Sequence, residues 1–258
     1  MSKPGRHGAA ARRVAELRLV GVASLLWVVV GALVLTVAYV GPGEALAWGA
    51  VAATVTAGEL AYLRRHGDVA LDGGRAEGSL GVANALTLVR GGLYAAVAGF
   101  VTVPPTAAAW GPAACYGVGV ALDALDGWVA RNLGRTTRLG ERLDLAFDTL
   151  GFVVAPVVAV VWGQLPAWYL SLSAARYVFR AGVAWRRRRG RPVHDLPESR
   201  VRRPLAAFQM AFVTVALTPA VGLEAVRLPA ALALAASLSV FGRDYLAVSG
   251  RLGGRGAV

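Results

Sequence analysis

The chain has 258 residues, 56% hydrophobic and only 16% charged. A soluble domain of this length rarely has that composition, which points to an integral membrane protein. The formal net charge of +12 raises nucleic acid as a partner, but the basic residues sit between apolar runs, where anionic lipid and topology account for them, so none is expected.

A basic N-terminus, MSKPGRHGAAARRVAELR, leads into an apolar run at 19–40 that is too long for a signal-peptide core and suits a spanning helix. Further runs follow at 45–63, 83–103, 108–130, 143–162, 166–185, 204–220 and 228–247. Each approaches the length of about 17–25 residues that a bilayer requires. The expectation is an all-α integral membrane protein of eight helices. Gly41-Pro42-Gly43, Pro104-Pro105, Gly163 with Pro166, and Pro219 punctuate the ends. The second run contains Glu59 and the seventh is short, which makes these two the least regular. The single cysteine, Cys115, rules out an internal disulfide.

With the N-terminus in the cytoplasm, all but four of the 27 Lys and Arg residues fall in the inner segments 1–18, 63–81, 131–142, 184–203 and 242–258. The exceptions are Arg90, Arg176, Arg180 and Arg227. The outer loops near 41–44, 104–107 and 163–165 carry none. This positive-inside pattern predicts a multi-pass protein of the cell membrane with both termini in the cytoplasm. A boundary near Gly73-Gly74 divides the chain into an N-terminal extension of two helices, 1–80, and a six-helix domain, 81–258.

Asp123 and Asp126 lie three apart near the inner end of the fourth run, and Asp144 and Asp148 four apart near the inner start of the fifth. Each spacing puts its two side chains on one helix face. The short loop 132–140 makes the two helices antiparallel neighbours, so the pairs arrive at the same depth. Four carboxylates there repel one another unless a divalent cation, or two, joins them. All-oxygen ligands suit Mg²⁺ or Mn²⁺, while His7, His66 and His194 lack ligand-like spacing for zinc. Gly127 and Ala130 are small enough for a flat ligand or a neighbouring helix to approach closely, Gly140 precedes the second pair, and Arg131 is placed to meet phosphate.

The spacing D-x2-D-G-x2-A-R-x8-G-x3-D-x3-D, carried by Asp123, Asp126, Gly127, Ala130, Arg131, Gly140, Asp144 and Asp148, resembles the signature of the CDP-alcohol phosphotransferase family of membrane enzymes. The stretch ANALTLVRGGL, with Asn84, Thr87 and Arg90, resembles the opening of that family's first core helix. SRVRRPLAAFQ, with Arg203 and Gln209, resembles the start of its fifth. The two helices before residue 80 depart from the family pattern, and lipid packing and dimerisation are both open as their role. The resemblance also suggests a homodimer.

The resemblance implies a six-helix catalytic core that transfers a phosphoalcohol group from a CDP-alcohol to a hydroxyl acceptor and releases CMP. It implies that Asp123, Asp126, Asp144 and Asp148 hold two Mg²⁺ or Mn²⁺ ions, with Asp148 as the catalytic base. It implies that Asn84, Thr87, Gly127, Ala130, Arg131 and Gly140 meet the nucleotide and diphosphate. For Asn84 and Thr87 an interhelical hydrogen bond is the equal alternative. Arg176 and Arg180, four apart on one face, together with Arg138 and Arg203, are candidates for an anionic acceptor, although Arg138 also reads as an ordinary loop charge. The expected reaction joins the phosphatidyl or archaetidyl group of a CDP-lipid to a small polar alcohol, phosphorylated or not. One alternative moves the head group of a soluble CDP-alcohol onto a neutral lipid. Another is a divalent-cation transporter, but the four aspartates lie at one depth rather than along a pathway.

Overall fold

The computed structural model describes residues 5–66, 81–133, 138–196 and 199–252. Among them are eight α-helices and no strand: α1 Gly5–Ala38, α2 Pro42–His66, α3 Gly81–Gly99, α4 Gly111–Leu133, α5 Arg138–Val161, α6 Ser171–Arg188, α7 Arg202–Ala216 and α8 Leu223–Val248. Among the described residues, five segments are long and apolar enough to cross a membrane: 18–38, Pro42–His66, 85–102, 140–161 and Leu223–Val248. By the same measure α4, α6 and α7 fall short. The first carries Asp123 and Asp126, the second ends in a run of arginines, and the third has only 15 residues. The chain divides into two compact units, residues 1–158 and 159–258.

In the first unit, α1, α2, α3 and α4 pack in sequence order, and α5 joins through Leu143 and Phe147, which bury against Leu63 of α2. On α1, Leu25, Val29, Leu33 and Val37 are all exposed at a spacing of four. An apolar stripe facing outward is the arrangement that lipid, not water, stabilises. The opposite faces are fixed by two tryptophans. Trp27 donates its indole N–H to Gly92 O at 3.1 Å and Trp48 to Ala96 O at 3.0 Å, so both hold one face of α3. The Trp48 ring lies between glycines: a Cβ on Gly31 or on Gly99 would come within 2.5 Å of it. Small residues that admit a large ring are how membrane helices, lacking a hydrophobic drive toward one another, gain contact area.

In the second unit, α5, α6 and α8 each end in the same way. Gly163, Gly190 and Gly250 have φ of 71°, 63° and 72°, a left-handed backbone that suits glycine. The next residue then donates back into the helix, as in Gln164 N to Ala159 O at 2.8 Å and Arg191 N to Arg186 O at 3.0 Å. These are Schellman caps, which satisfy carbonyls that a helix end would otherwise leave bare. α8 is tied to its neighbours by polar groups: Gln209 of α7 donates to Ser237, and Arg202 Nε donates to Asp244 at 2.6 Å. Arg243 Nη2 also reaches Asp244 at 3.0 Å. Arg186 is buried and donates to Pro192 O and Ser249 O at 3.0 and 3.1 Å, holding the chain after α6 against the end of α8.

Candidate active site

The site lies within the first unit, where α3, α4 and α5 meet. The register follows from the sequence. Arg90 stands nine residues into α3, Asp123 and Asp126 occupy one face of α4 near its C-terminal end, and Asp144 and Asp148 one face of α5 near its start. Both pairs converge on the Arg90 guanidinium. Nη1 pairs with Asp123 Oδ1 and lies 3.9 Å from Asp126 Oδ2, while Nη2 pairs with Asp144 Oδ1 and lies 3.5 Å from Asp148 Oδ1. The Arg90 side chain is completely buried, whereas the four carboxylates are 12% to 44% exposed. One guanidinium against four carboxylates leaves the cluster anionic. In a medium of low dielectric that charge attracts further cation strongly.

Carboxylate oxygens of Asp123, Asp126 and Asp144 lie within 4.8 Å of one another, an arrangement that could hold a metal ion. An all-oxygen donor set of this kind fits Mg²⁺ or Mn²⁺. The buried guanidinium drawn into the same carboxylates shows that the local charge calls for a cation.

Above the cluster, Tyr94 sets the spacing of the three helices. It is fully buried, one turn along α3 from Arg90. A Cβ on Gly119 of α4 would come within 2.6 Å of its ring, and one on Gly151 of α5 within 2.7 Å of the opposite edge. The ring therefore fills two notches, one in each carboxylate-bearing helix, and Tyr116 packs against it with the planes tilted by 39° and the centroids 5.4 Å apart.

Of the other residues expected at a site, Thr87 is buried on α3, and Gly127 and Gly140 are half-buried beside Asp126 and one turn before Asp144. The side chains of Asn84, Ala130, Arg131 and Arg138 lie outside the described residues. In the second unit, Arg176 is half-buried, and Arg180 and Arg203 are exposed. Sequence reasoning placed Arg90 in a motif without giving it a task. Its signal was available, since an arginine inside a spanning helix requires a carboxylate partner. The Tyr94 notch left none, because nothing local pairs Gly119 with Gly151.

Fold and site together define a multi-pass α-helical membrane protein with an intramembrane carboxylate centre. The family model for CDP-alcohol phosphatidyltransferase matches residues 80–240, and the chain belongs to that family. Curated proteins named "Putative cardiolipin synthase" from Mycobacterium bovis and Mycobacterium tuberculosis are 36% identical over 104 residues. The match covers 40% of this chain and 49% of theirs, so the chain spans about half the length of these curated relatives. No solved structure matches.

Proposed function

We propose that the chain transfers a phosphatidyl or archaetidyl group from a CDP-lipid to a small polar alcohol and releases CMP. The observation that carries this reading is the convergence of both aspartate pairs on one point between three helices of a chain that belongs to this family. Asp123, Asp126, Asp144 and Asp148 would hold Mg²⁺ or Mn²⁺. Bound there, the metal would supply charge neutralisation to the diphosphate and to the departing CMP. The acceptor oxygen bonds to the lipid-bearing phosphorus, the bond from that phosphorus to the oxygen of CMP breaks, and CMP leaves with the electron pair.

Asp148 takes the proton of the acceptor hydroxyl, a role that depends on reach and is worth about 10²–10⁴-fold. Gly127 and Ala130 leave room for cytidine, with Asn84, Thr87, Arg131 and Gly140 around the nucleotide and diphosphate. Arg138, Arg176, Arg180 and Arg203 are the candidates for an anionic acceptor. The distribution of arginines supports a site that faces the cytoplasm, and the family resemblance is what suggests a homodimer.

The test is CMP release by purified protein in detergent, with CDP-diacylglycerol or its ether analogue and Mg²⁺ or Mn²⁺. Acceptors are added singly, and a phosphatidyl acceptor, of the kind the name cardiolipin synthase implies, is included. Release that needs metal and one acceptor, and falls at least about 10²-fold in Asp148→Asn, is expected. Release only from a soluble CDP-alcohol with a neutral lipid would reverse donor and acceptor. No release with either donor would overturn the reading.

A further inference from the structure

Glu59 is a carboxylate inside a spanning helix that the site so far described does not use. It lies on α2, outside the residues matched by the family. Among the described residues its Oε1 is buried with no hydrogen-bond partner. A carboxyl group at that depth is costly unless it has a function or a partner at some stage of the cycle.

Its position links it to the site. Trp48 meets Ala96 while Glu59 meets Gly91, so α2 runs antiparallel to α3 and its C-terminal end lies at the end of the bundle that carries the aspartates. Glu59 stands seven residues from the end of α2, as Asp126 does from the end of α4, and Asp144 stands six from the start of α5. At a rise of 1.5 Å per residue all three lie roughly 10 Å into the bundle. A Cβ at Gly91 would come within 3.1 Å of Glu59 Oε1 and 3.0 Å of Phe147. Gly91 follows Arg90 and Phe147 precedes Asp148, so Glu59 lies against the positions next in the chain to two residues of the cluster.

Arg90 makes that position meaningful. Its guanidinium holds Asp123 Oδ1 and Asp144 Oδ1, from two of the three residues whose oxygens could ligate a cation. A divalent ion that takes its ligands from those carboxylates at about 2.0–2.1 Å competes with the guanidinium for their oxygens and their charge. Arg90 is completely buried, so it cannot retire to solvent, and a buried charge stripped of its partner is strongly destabilising. Among the described carboxylates of the first unit outside the cluster, Glu44 and Glu141 are exposed, while Glu59 is half-buried with its Oε1 closed off from solvent.

We propose that Glu59 is the alternate counterion of Arg90: when a divalent cation takes the four aspartates, the guanidinium transfers to the Glu59 carboxylate. The proposal rests on the metal-dependent reading above. It makes Glu59 a positioning residue and gives the N-terminal helix pair a task, to receive the charge that metal displaces. In its absence the metal must compete with an arginine that has nowhere to go.

The experiment is direct Mn²⁺ binding, followed by electron paramagnetic resonance, on purified protein in detergent without substrates. Wild type, Glu59→Gln, Arg90→Gln and the double variant form a cycle. The expected result is that Glu59→Gln weakens Mn²⁺ binding at least about tenfold when Arg90 is present. In the Arg90→Gln background the same change should alter binding less than about twofold. Glu59→Met, similar in volume, should repeat the loss, and Glu59→Asp, which keeps the charge, should restore most of the affinity. Unchanged affinity in Glu59→Gln, or an equal loss in both backgrounds, would overturn the proposal, the second by showing a merely structural effect. Absence of Mn²⁺ binding in wild type, or binding unaffected by Asp123→Asn, would instead defeat the metal reading and take this proposal with it.

Discussion

Replacing Gly119 with alanine tests how tightly the carboxylate-bearing helices are held. The new Cβ would lie 2.6 Å from Tyr94 Cε1, where carbon atoms in contact ordinarily sit about 3.5–4.0 Å apart. Relief of roughly 1 Å is needed. Tyr94 cannot supply it by tilting, because its other edge occupies the notch at Gly151, where a Cβ would stand 2.7 Å away. The strain therefore passes to the helices, at a cost of about 1–3 kcal/mol for overpacking of this kind. Asp123 lies one turn from Gly119, and Asp148 just under one turn from Gly151, so the displacement reaches both carboxylate pairs. Misplacement of about 1 Å at a reacting centre can cost about 10²-fold in rate. Gly119→Ala should thus slow CMP release by about 10–10²-fold and lower the thermal unfolding midpoint in detergent. Adding Tyr94→Leu, which shortens the wedge, should recover part of the rate. A Gly119→Ala protein with wild-type rate and midpoint would refute the reasoning, as would a loss that Tyr94→Leu does not relieve.

Trp48→Phe removes the N–H donated to Ala96 O but keeps a ring between Gly31 and Gly99, and should cost only about 0.5–1.5 kcal/mol. Trp48→Ala should cost about 3–5 kcal/mol, and thermal unfolding followed by fluorescence separates the two. Gln209→Leu should cost about 0.6 kcal/mol and at most about 1.7, because Ser237 already donates to Ala233 O at 2.8 Å and keeps that bond. Arg202→Met leaves Asp244, only 7% exposed, with Arg243 alone. Since Arg202 is itself 32% exposed, screening reduces the loss to about 1–2 kcal/mol. Asp244→Asn should cost less than Arg202→Met in the same unfolding assay, and the opposite order would show that the pair does not carry this contact.

The helices were legible because a chain that must satisfy every backbone group within lipid has few other options. Differences lie at their ends. α1 begins at Gly5, well before the apolar run at 19, because an alanine- and arginine-rich sequence extends a helix beyond the hydrocarbon. α7 stops at Ala216 rather than 220, ahead of Pro219, whose predecessor is disfavoured in a helical conformation. A 3₁₀ turn at Ala167–Leu170 occupies the start of the sixth apolar run, and the arginines then prolong α6 to Arg188.

The aspartates were legible for a different reason. Their spacings of three and four fix a shared face, and a short loop fixes the shared depth, so both facts are local. Arg90 and Glu59 required knowing which helix faces meet. Hydrophobic pattern does not carry that information in a membrane, because an apolar face is equally content against lipid or against another helix. Glycines and ionisable groups carry it instead. A glycine marks where a ring or a second backbone must enter, as at Gly99 beneath Trp48 and Gly119 beside Tyr94. A charge marks where a partner must exist. Applied to this chain, that rule joins Arg90 to the aspartates, since no loop charge reaches nine residues into α3. Among the described residues it then leaves Glu59 with a buried carboxylate oxygen that no hydrogen bond satisfies. What looks in the sequence like a flaw in the second apolar run is thus, by the physics of the bilayer, the residue that most needs a reason to be there.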